Sequence, residues 1–220
     1  IPVPSPQGPG YRDMIIEVIE TEPGVLEIGP GFRSDLGLRT FARVGYNNIF
    51  GKNWIGSLGG EGNRRFLNYK FVEYKFDATF IEPRFFSTRF LYAIGIDTKK
   101  QSFKGLSNAD FNAVTTQLFT SFEHKLFDVA TAKLMYRYER IRQFDVFFQN
   151  KSFPEDNRSL LIGSLIPSLT VDTRDNPFTT TSGWLITGSL EYAHPHFSGQ
   201  KINDGGAPYY QKWNGAIHKY

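Results

Sequence analysis

Four histidines, His124, His194, His196 and His218, are the first candidates for chemistry in this chain. The stretch HPHF sets His194 and His196 two residues apart, on one face if it is a strand, and that is the beginning of a metal site. A zinc centre needs three or four ligands with hydrogen-bonding groups behind them, and no third ligand falls at a useful spacing. The chain has no cysteine, which excludes thiolate metal sites, thiol nucleophiles and disulfides. A serine nucleophile needs a strand-to-helix elbow such as G-x-S-x-G, whereas the G-S-L triplets at 56–58, 163–165 and 188–190 sit in strand-like sequence. GSLGGEG at 56–62 lacks both the G-K-[ST] ending and the following helix of a phosphate loop. Its glycines suit a thinned or kinked sheet. Carboxylates such as Glu20 and Glu22 read as solvated. The residues therefore give no catalytic, metal-binding or cofactor-binding set.

The charges carry no nucleic-acid signature either. The formal net charge is +3, and Lys99, Lys100, Lys104, Arg137, Arg140, Arg142, Lys151, Arg158 and Lys201 are scattered along loops and strand faces. A nucleic-acid surface would gather them into a stripe.

The elements that would position these residues are strands. Aromatic residues make up 16% of the chain and glycines number 21, a combination that fits pleated surfaces. After Gly24 the apolar residues recur at every second position. Val72, Tyr74, Phe76, Ala78 and Phe80 oppose Glu73, Lys75, Asp77 and Thr79. Ala130, Ala132, Leu134, Tyr136 and Tyr138 oppose Lys133, Arg137 and Glu139. Leu161, Gly163, Leu165, Pro167, Leu169 and Val171 are followed, after a turn, by Trp184, Ile186, Gly188, Leu190 and Tyr192. Helical spacing fits none of these runs. The pattern predicts about eight to ten strands, at 25–32, 37–47, 53–64, 67–82, 87–100, 109–125, 128–146, 159–174, 183–195 and 207–220.

Alternation of this kind belongs both to a soluble sandwich or lipocalin-like barrel and to a membrane barrel, and periodicity does not separate inside from outside. Three features favour the membrane. The runs exceed the roughly 5–6 residues usual for soluble strands. Aromatics such as Phe85, Phe86, Phe127, Phe147, Phe148 and Trp184 cluster near strand ends. Tight connectors (NNIFGKN, EPRFFST, KLFDVAT) alternate with longer polar ones (DTKKQSFKGLSNAD, FFQNKSFPEDNR, HPHFSGQKINDGGAP). No run of about 18 apolar residues would make a transmembrane helix, a requirement that barrel strands do not share.

Several motifs now fall in order. EVIETEPGVLEIGPGFRSDLGLRTFARVGYNNIFGKN holds a V-x-E strand, a G-x-G-F stretch followed by Ser34 and Asp35, and an N-N-I-F-G turn. FIEPRFFSTRF contains Glu82, Pro83 and Phe86 in an E-P-x-x-F hairpin. TVDTRDNPFTTTSGW sets Asp172, Arg174, Asp175, Asn176, Pro177 and Gly183 in a D-x-R-D-x-P hairpin, with Thr180 or Thr181 where a second proline is expected. From Tyr11 to Tyr220 the chain resembles the BamA/TamA superfamily of outer-membrane protein assembly factors. The resemblance implies an all-β fold, an antiparallel transmembrane β-barrel of which 24–220 would be the N-terminal part. Residues 1–23 would be a linker and the end of a periplasmic POTRA-like segment. It implies about eight to ten strands of a sixteen-strand barrel; the family's R-G-F/Y lumen motif and its closing strand are not in this sequence.

The resemblance also implies a function without bond chemistry: insertion of other barrels through a weakly paired seam. The seam strand would be Val25, Leu26, Glu27, Ile28, Gly29, Pro30, Gly31 and Phe32. Its glycines pack little and Pro30 has no N–H to donate. The implied partners are unfolded outer-membrane protein clients, outer-membrane lipids and accessory lipoproteins, in the outer membrane of a Gram-negative bacterium. Self-association is the expectation should these residues be the whole barrel-forming chain. A two-partner-type secretion transporter and a passive porin are the competing readings. For the D-x-R-D-x-P hairpin the residues point to a folding staple at the barrel rim: Asp172, Asp175 and Asn176 can bind nearby amides, and Arg174 can pair with Asp172 or Glu191.

Overall fold

The computed structural model describes residues 2–4, 12–14, 22–33, 37–64, 72–106, 109–148, 151–152, 159–199 and 208–220. Two short strands, β1 (Pro2–Pro4) and β2 (Arg12–Met14), pair with each other. Ten strands then follow one another as an antiparallel meander: β3 (Gly24–Arg33), β4 (Gly37–Ile49), β5 (Trp54–Arg64), β6 (Val72–Glu82), β7 (Phe90–Leu106), β8 (Ala109–Phe127), β9 (Ala130–Phe148), β11 (Ser159–Asp172), β12 (Trp184–Ala193) and β13 (Tyr210–Lys219). The two-residue strand β10 (Lys151–Ser152) folds back on β9. The helical content described is one 3₁₀ turn, Phe85–Ser87, and one short helix, α1 (Pro195–Ser198). No described helix is long and apolar enough to cross a membrane. The sheet is open, with β3 at one edge and β13 at the other.

Register turns the alternation in sequence into two continuous faces. Leu26 faces Val44, Val44 faces Leu58, Leu58 faces Ala78, Ala78 faces Ile96, Ile96 faces Leu118 and Leu118 faces Tyr138. Tyr138 faces Gly163 on β11, and nearer the other end of the same face Ala132, Leu169, Gly188 and Gly215 form a parallel row across β9, β11, β12 and β13. Side chains on this apolar face stay open to the surroundings; Leu58, Leu118 and Leu134 are 54%, 47% and 50% exposed. An apolar face of this extent needs an apolar medium against it. The opposite face carries Glu61, Lys75, Asp77, Asp97, Gln117, Arg137, Glu139 and Ser164 in register. Its charges pair within and across strands: Lys75 Nζ lies 3.5 Å from Asp77 on its own strand and 3.4 Å from Asp97 on β7, and Arg39 lies 2.6 Å from Glu61 on β5.

Strands β7, β8 and β9 outrun the expected boundaries. The segment DTKKQSFKGLSNAD, expected to be a polar loop, is β7 up to Leu106 and β8 from Ala109, with Phe103 opposite Phe111. Alternation of apolar residues ends before the backbone ladder does. On the apolar side of β7, β8 and β9, Ile96, Leu118 and Tyr138 give way to Thr98, Thr116 and Arg140, and then to Lys100, Val114 and Arg142. On β9 the apolar run from Ala130 to Tyr138 spans about 30 Å of strand at ~3.3 Å per residue. At the usual 35–45° tilt that is about 23 Å of height, close to the ~25 Å apolar band of membrane barrels. The wall therefore projects beyond such a band at one end. Of the three connectors expected to be long and polar, DTKKQSFKGLSNAD is therefore largely strand, and the other two lie in large part outside the described residues. The connector 173–183, at the near end, is long.

HPHF also departs from expectation. Pro195 starts α1, and the helical turn takes His196 off any strand face. His194 accepts a bond from the His196 N–H through Nδ1 at 3.2 Å, and their rings stack at 4.9 Å. Of the remaining expectations, Glu20, Ser34, Asp35, Arg158, Lys201 and the 67–71 part of the fourth strand lie outside the described residues.

Candidate functional site

The strand expected to form the seam, Val25–Phe32, is the core of β3. It pairs with β4 at every position from Gly24 opposite Tyr46 to Arg33 opposite Gly37, with no bulge. Its other edge is free among the described residues. Leu26, Ile28 and Phe32 lie on the apolar face and are 67%, 73% and 67% exposed. Pro30 stands opposite Thr40 and cannot donate to either neighbour. On the polar face Glu27 meets Arg43 at 3.8 Å with both side chains more than half exposed, a pairing that contributes little. Gly29 lies under the Phe41 ring, so the partner strand supplies the bulk that β3 lacks. What this strand can do is offer backbone: an extended, sparsely packed edge is a template for another strand.

The far side of the sheet is built differently. Glu191 on β12 accepts hydrogen bonds from Arg137 Nη2 on β9, from Ser164 Oγ on β11 at 3.1 Å and from the Tyr210 hydroxyl on β13 at 2.5 Å. One carboxylate thus joins four neighbouring strands. Sequence reasoning offered Glu191 as a partner for Arg174; the structure gives it to Arg137, and the network emerges only with the register that places Arg137 opposite Ser164 and Ala193 opposite Tyr210. On the opposite, apolar face α1 lies over Gly163, where a Cβ would come within 2.1 Å of the Phe197 carbonyl carbon. The Tyr136 hydroxyl donates to Phe197 O.

The connector between β11 and β12 is a closed set of bonds. Asp172 holds Arg174 in two parallel contacts, Nε at 2.9 Å and Nη2 at 2.7 Å, and accepts the Arg174 N–H at 3.1 Å. Asn176 Oδ1 accepts the amides of Phe178 and Thr179 at 2.9 and 3.3 Å. Asp175 accepts the amides of Thr181 and Ser182 at 3.1 and 3.2 Å as well as the Thr181 hydroxyl. Those bonds to the ionised form lower its carboxyl from an ordinary 3.8 to about 2. Thr180 and Thr181, at the place of the missing proline, both donate from their hydroxyls, Thr180 to Asn176 O at 2.7 Å. Gly183 has φ 119°, and a Cβ there would stand 2.4 Å from Thr173 O, so glycine is required. Pro177 sits exposed at the tip. The Arg174 guanidinium lies 5.8 Å from the Tyr220 ring centre, which ties the connector to the end of β13.

In the hairpin between β6 and β7, Glu82 ends β6 opposite Tyr92 and Pro83 starts the turn. The two phenylalanines divide the work. Phe85 packs against Tyr92 and Phe122 at ring distances of 4.8 and 5.3 Å. Phe86, the motif residue, is 82% exposed. The structural anchor is thus Phe85, which motif spacing alone did not single out.

The model of the Omp85 superfamily domain matches residues 48–215. No curated protein matches the chain. Among solved structures the chain is similar to the crystal structure of BamA from Haemophilus ducreyi lacking POTRA domains 1-3. The TM-score is 0.59 at 13% sequence identity, covering 81% of this chain and 35% of that one. The likeness is one of fold, and the chain spans about a third of that protein's length.

Proposed function

Because the chain belongs to the Omp85 superfamily, we propose that it forms part of an outer-membrane β-barrel that assembles other outer-membrane proteins. Residues 24–220 are the barrel wall, with the apolar face toward lipid and the polar face toward a wet lumen. Residues 1–23 are the end of a periplasmic POTRA-like segment that delivers the chain to β3. Its partners are unfolded barrel clients, the surrounding lipids and accessory lipoproteins of a Gram-negative outer membrane.

The observation that carries this reading is the contrast between the two sides of the wall. On one side Glu191 ties four strands together. On the other, Pro30, Gly29 and Gly31 weaken the ladder of β3; the outer edges of both β3 and β13 are unpaired among the described residues, and only β3 lacks such a network behind it. Unpaired amides and carbonyls are expensive in hydrocarbon, so a client strand that satisfies them gains more than it would in water. No bond is made or broken and no nucleotide is used; the work is lowering the barrier to strand pairing at the membrane.

The test is reconstitution. Vesicles carrying the protein receive a urea-unfolded barrel client, and insertion is followed by the client's heat-modifiable gel migration. The reading predicts faster insertion than into empty vesicles of the same lipid. Ion conductance with no acceleration of insertion would support a passive pore and overturn it.

A further inference from the structure

The connectors β4–β5, β6–β7, β8–β9 and β11–β12 lie at one end of the wall, and an exposed phenylalanine stands in or at the edge of each, Phe127 being the last residue of β8. Phe50, Phe86, Phe127 and Phe178 are 85%, 82%, 72% and 96% exposed. Two of them occupy left-handed backbone, Phe50 at φ 55° and Phe86 at φ 48°. A bulky residue is an outlier there, and glycine or asparagine would relax the strain. A ring kept outward in strained backbone is explained by an apolar medium outside it.

Between the first two connectors lies a groove of about 480 Å³, lined by Lys52, Asn53, Trp54, Glu82, Arg84 and Ser87 among others. Lys52 Nζ stands 4.6 Å from the Trp54 ring centre. Lys52 and Arg84 are exposed, and neither is in an ion pair among the described residues. The single acid of the groove, Glu82, leaves the cations in excess. Ser87, also left-handed at φ 62°, adds a hydroxyl.

We propose that this groove binds the phosphate headgroup of an anionic phospholipid in the leaflet at this rim. Lys52 and Arg84 meet the phosphate, the Ser87 hydroxyl donates beside them, and Phe50 and Phe86 sit among the first acyl carbons. Cations near a membrane surface favour anionic lipid by about five-fold each, and aromatic rings favour the headgroup boundary. The inference rests on the wall spanning a membrane, and adds a headgroup preference at one place on its rim.

Trp54 lines the groove and makes the test direct. Trp184→Phe and Trp213→Phe leave it as the single indole of the chain. The protein is reconstituted in phosphatidylcholine vesicles containing either brominated phosphatidylglycerol or brominated phosphatidylcholine, whose bromines quench a nearby indole. The expected result is a relative binding constant at Trp54 about five-fold or more in favour of phosphatidylglycerol. Lys52→Gln and Arg84→Gln should each lower it several-fold. Lys125→Gln at the end of β8, where Lys125 pairs with Asp128 at 3.3 Å, and an excess of inorganic phosphate, should leave it unchanged. A ratio near one in the parent overturns the proposal, as does an equal loss with Lys125→Gln, which would indicate general surface charge. Loss on adding inorganic phosphate would make the groove a soluble-anion site and overturn the lipid assignment. Quenching by phosphatidylcholine with no preference leaves the membrane wall standing and removes only the headgroup site. No quenching by either lipid removes the membrane placement of this rim as well. Both variants are at exposed turn positions; should either fail to fold, the parent ratio still decides.

Discussion

Replacing Glu191 by alanine should loosen the wall from β9 to β13 as a unit. The substitution leaves Arg137, Ser164 and Tyr210 facing one another without their common acceptor. Breaking a buried ion pair by removing one partner costs about 3–5 kcal/mol. The Glu191 side chain is 9% exposed but Arg137 keeps 23%, so water can partly reclaim the guanidinium and the expected loss falls at the low end, about 3 kcal/mol. Glu191→Gln keeps an oxygen for Ser164 and Tyr210 and loses only the charge assistance, about 1–2 kcal/mol. Combining Arg137→Met with Glu191→Leu removes both charges together and should recover part of the loss, because apolar groups can replace a buried pair at little cost, while Glu139 loses its 3.9 Å contact with Arg137. The assay is urea unfolding of the vesicle-inserted protein, followed by tryptophan fluorescence and extrapolated linearly. A loss below about 0.5 kcal/mol for Glu191→Ala, or a double variant no better than the single one, would refute the reasoning.

Three further outcomes follow from the same geometry. Leu118→Arg, on the apolar face, should destabilise the membrane-inserted state by about 2–4 kcal/mol, whereas Gln117→Arg, on the polar face, should change it by less than about 1; the comparison is made by folding titrations into lipid vesicles. Asp175 is lowered from 3.8 to about 2 by its hydrogen bonds. It therefore stabilises the connector fully above about pH 4, and that contribution disappears as pH falls toward 2. Asp175→Asn should remove this part of the pH dependence of the urea midpoint. Gly163→Leu should drive α1 off the sheet, since even a Cβ would meet the Phe197 backbone; hydrogen exchange should rise at Phe197–Gly199 while β11 and β12 stay protected.

Much of the wall was legible because its cause is local. A strand with lipid on one side and water on the other must alternate, and Val72–Phe80 or Trp184–Tyr192 carry that requirement in their own spacing. The ends of β7, β8 and β9 were not, because beyond Ile96, Leu118 and Tyr138 the apolar residues no longer hold to one face: Thr98, Thr116 and Arg140 interrupt the apolar side, and Phe103 and Phe111 stand on the other. The side-chain chemistry divides along the same line. Asp172 and Arg174, or Asn176 and Phe178, are two residues apart, and their bonds are implied by type and spacing. Arg137, Ser164, Glu191 and Tyr210 come from four strands, so only register brings them together. In the same way the spacing of HPHF suggested a shared strand face, but Pro195 favours the first turn of a helix, and the two imidazoles end up stacked at a cap.

The central claim is that the bare edge of β3 receives a client strand, and disulfide trapping tests it most directly. The chain has no cysteine of its own, so Ile28→Cys on β3 and Leu118→Cys in the middle of the wall are single probes. A barrel client carrying one cysteine at successive positions of its terminal strand is captured during insertion under mild oxidation. The account predicts crosslinks from Ile28→Cys concentrated at one client position, the residue opposite it in register, with at most weak capture two residues to either side, and none from Leu118→Cys. Equal crosslinking at both probes, or none at Ile28→Cys while the client still inserts, would contradict it.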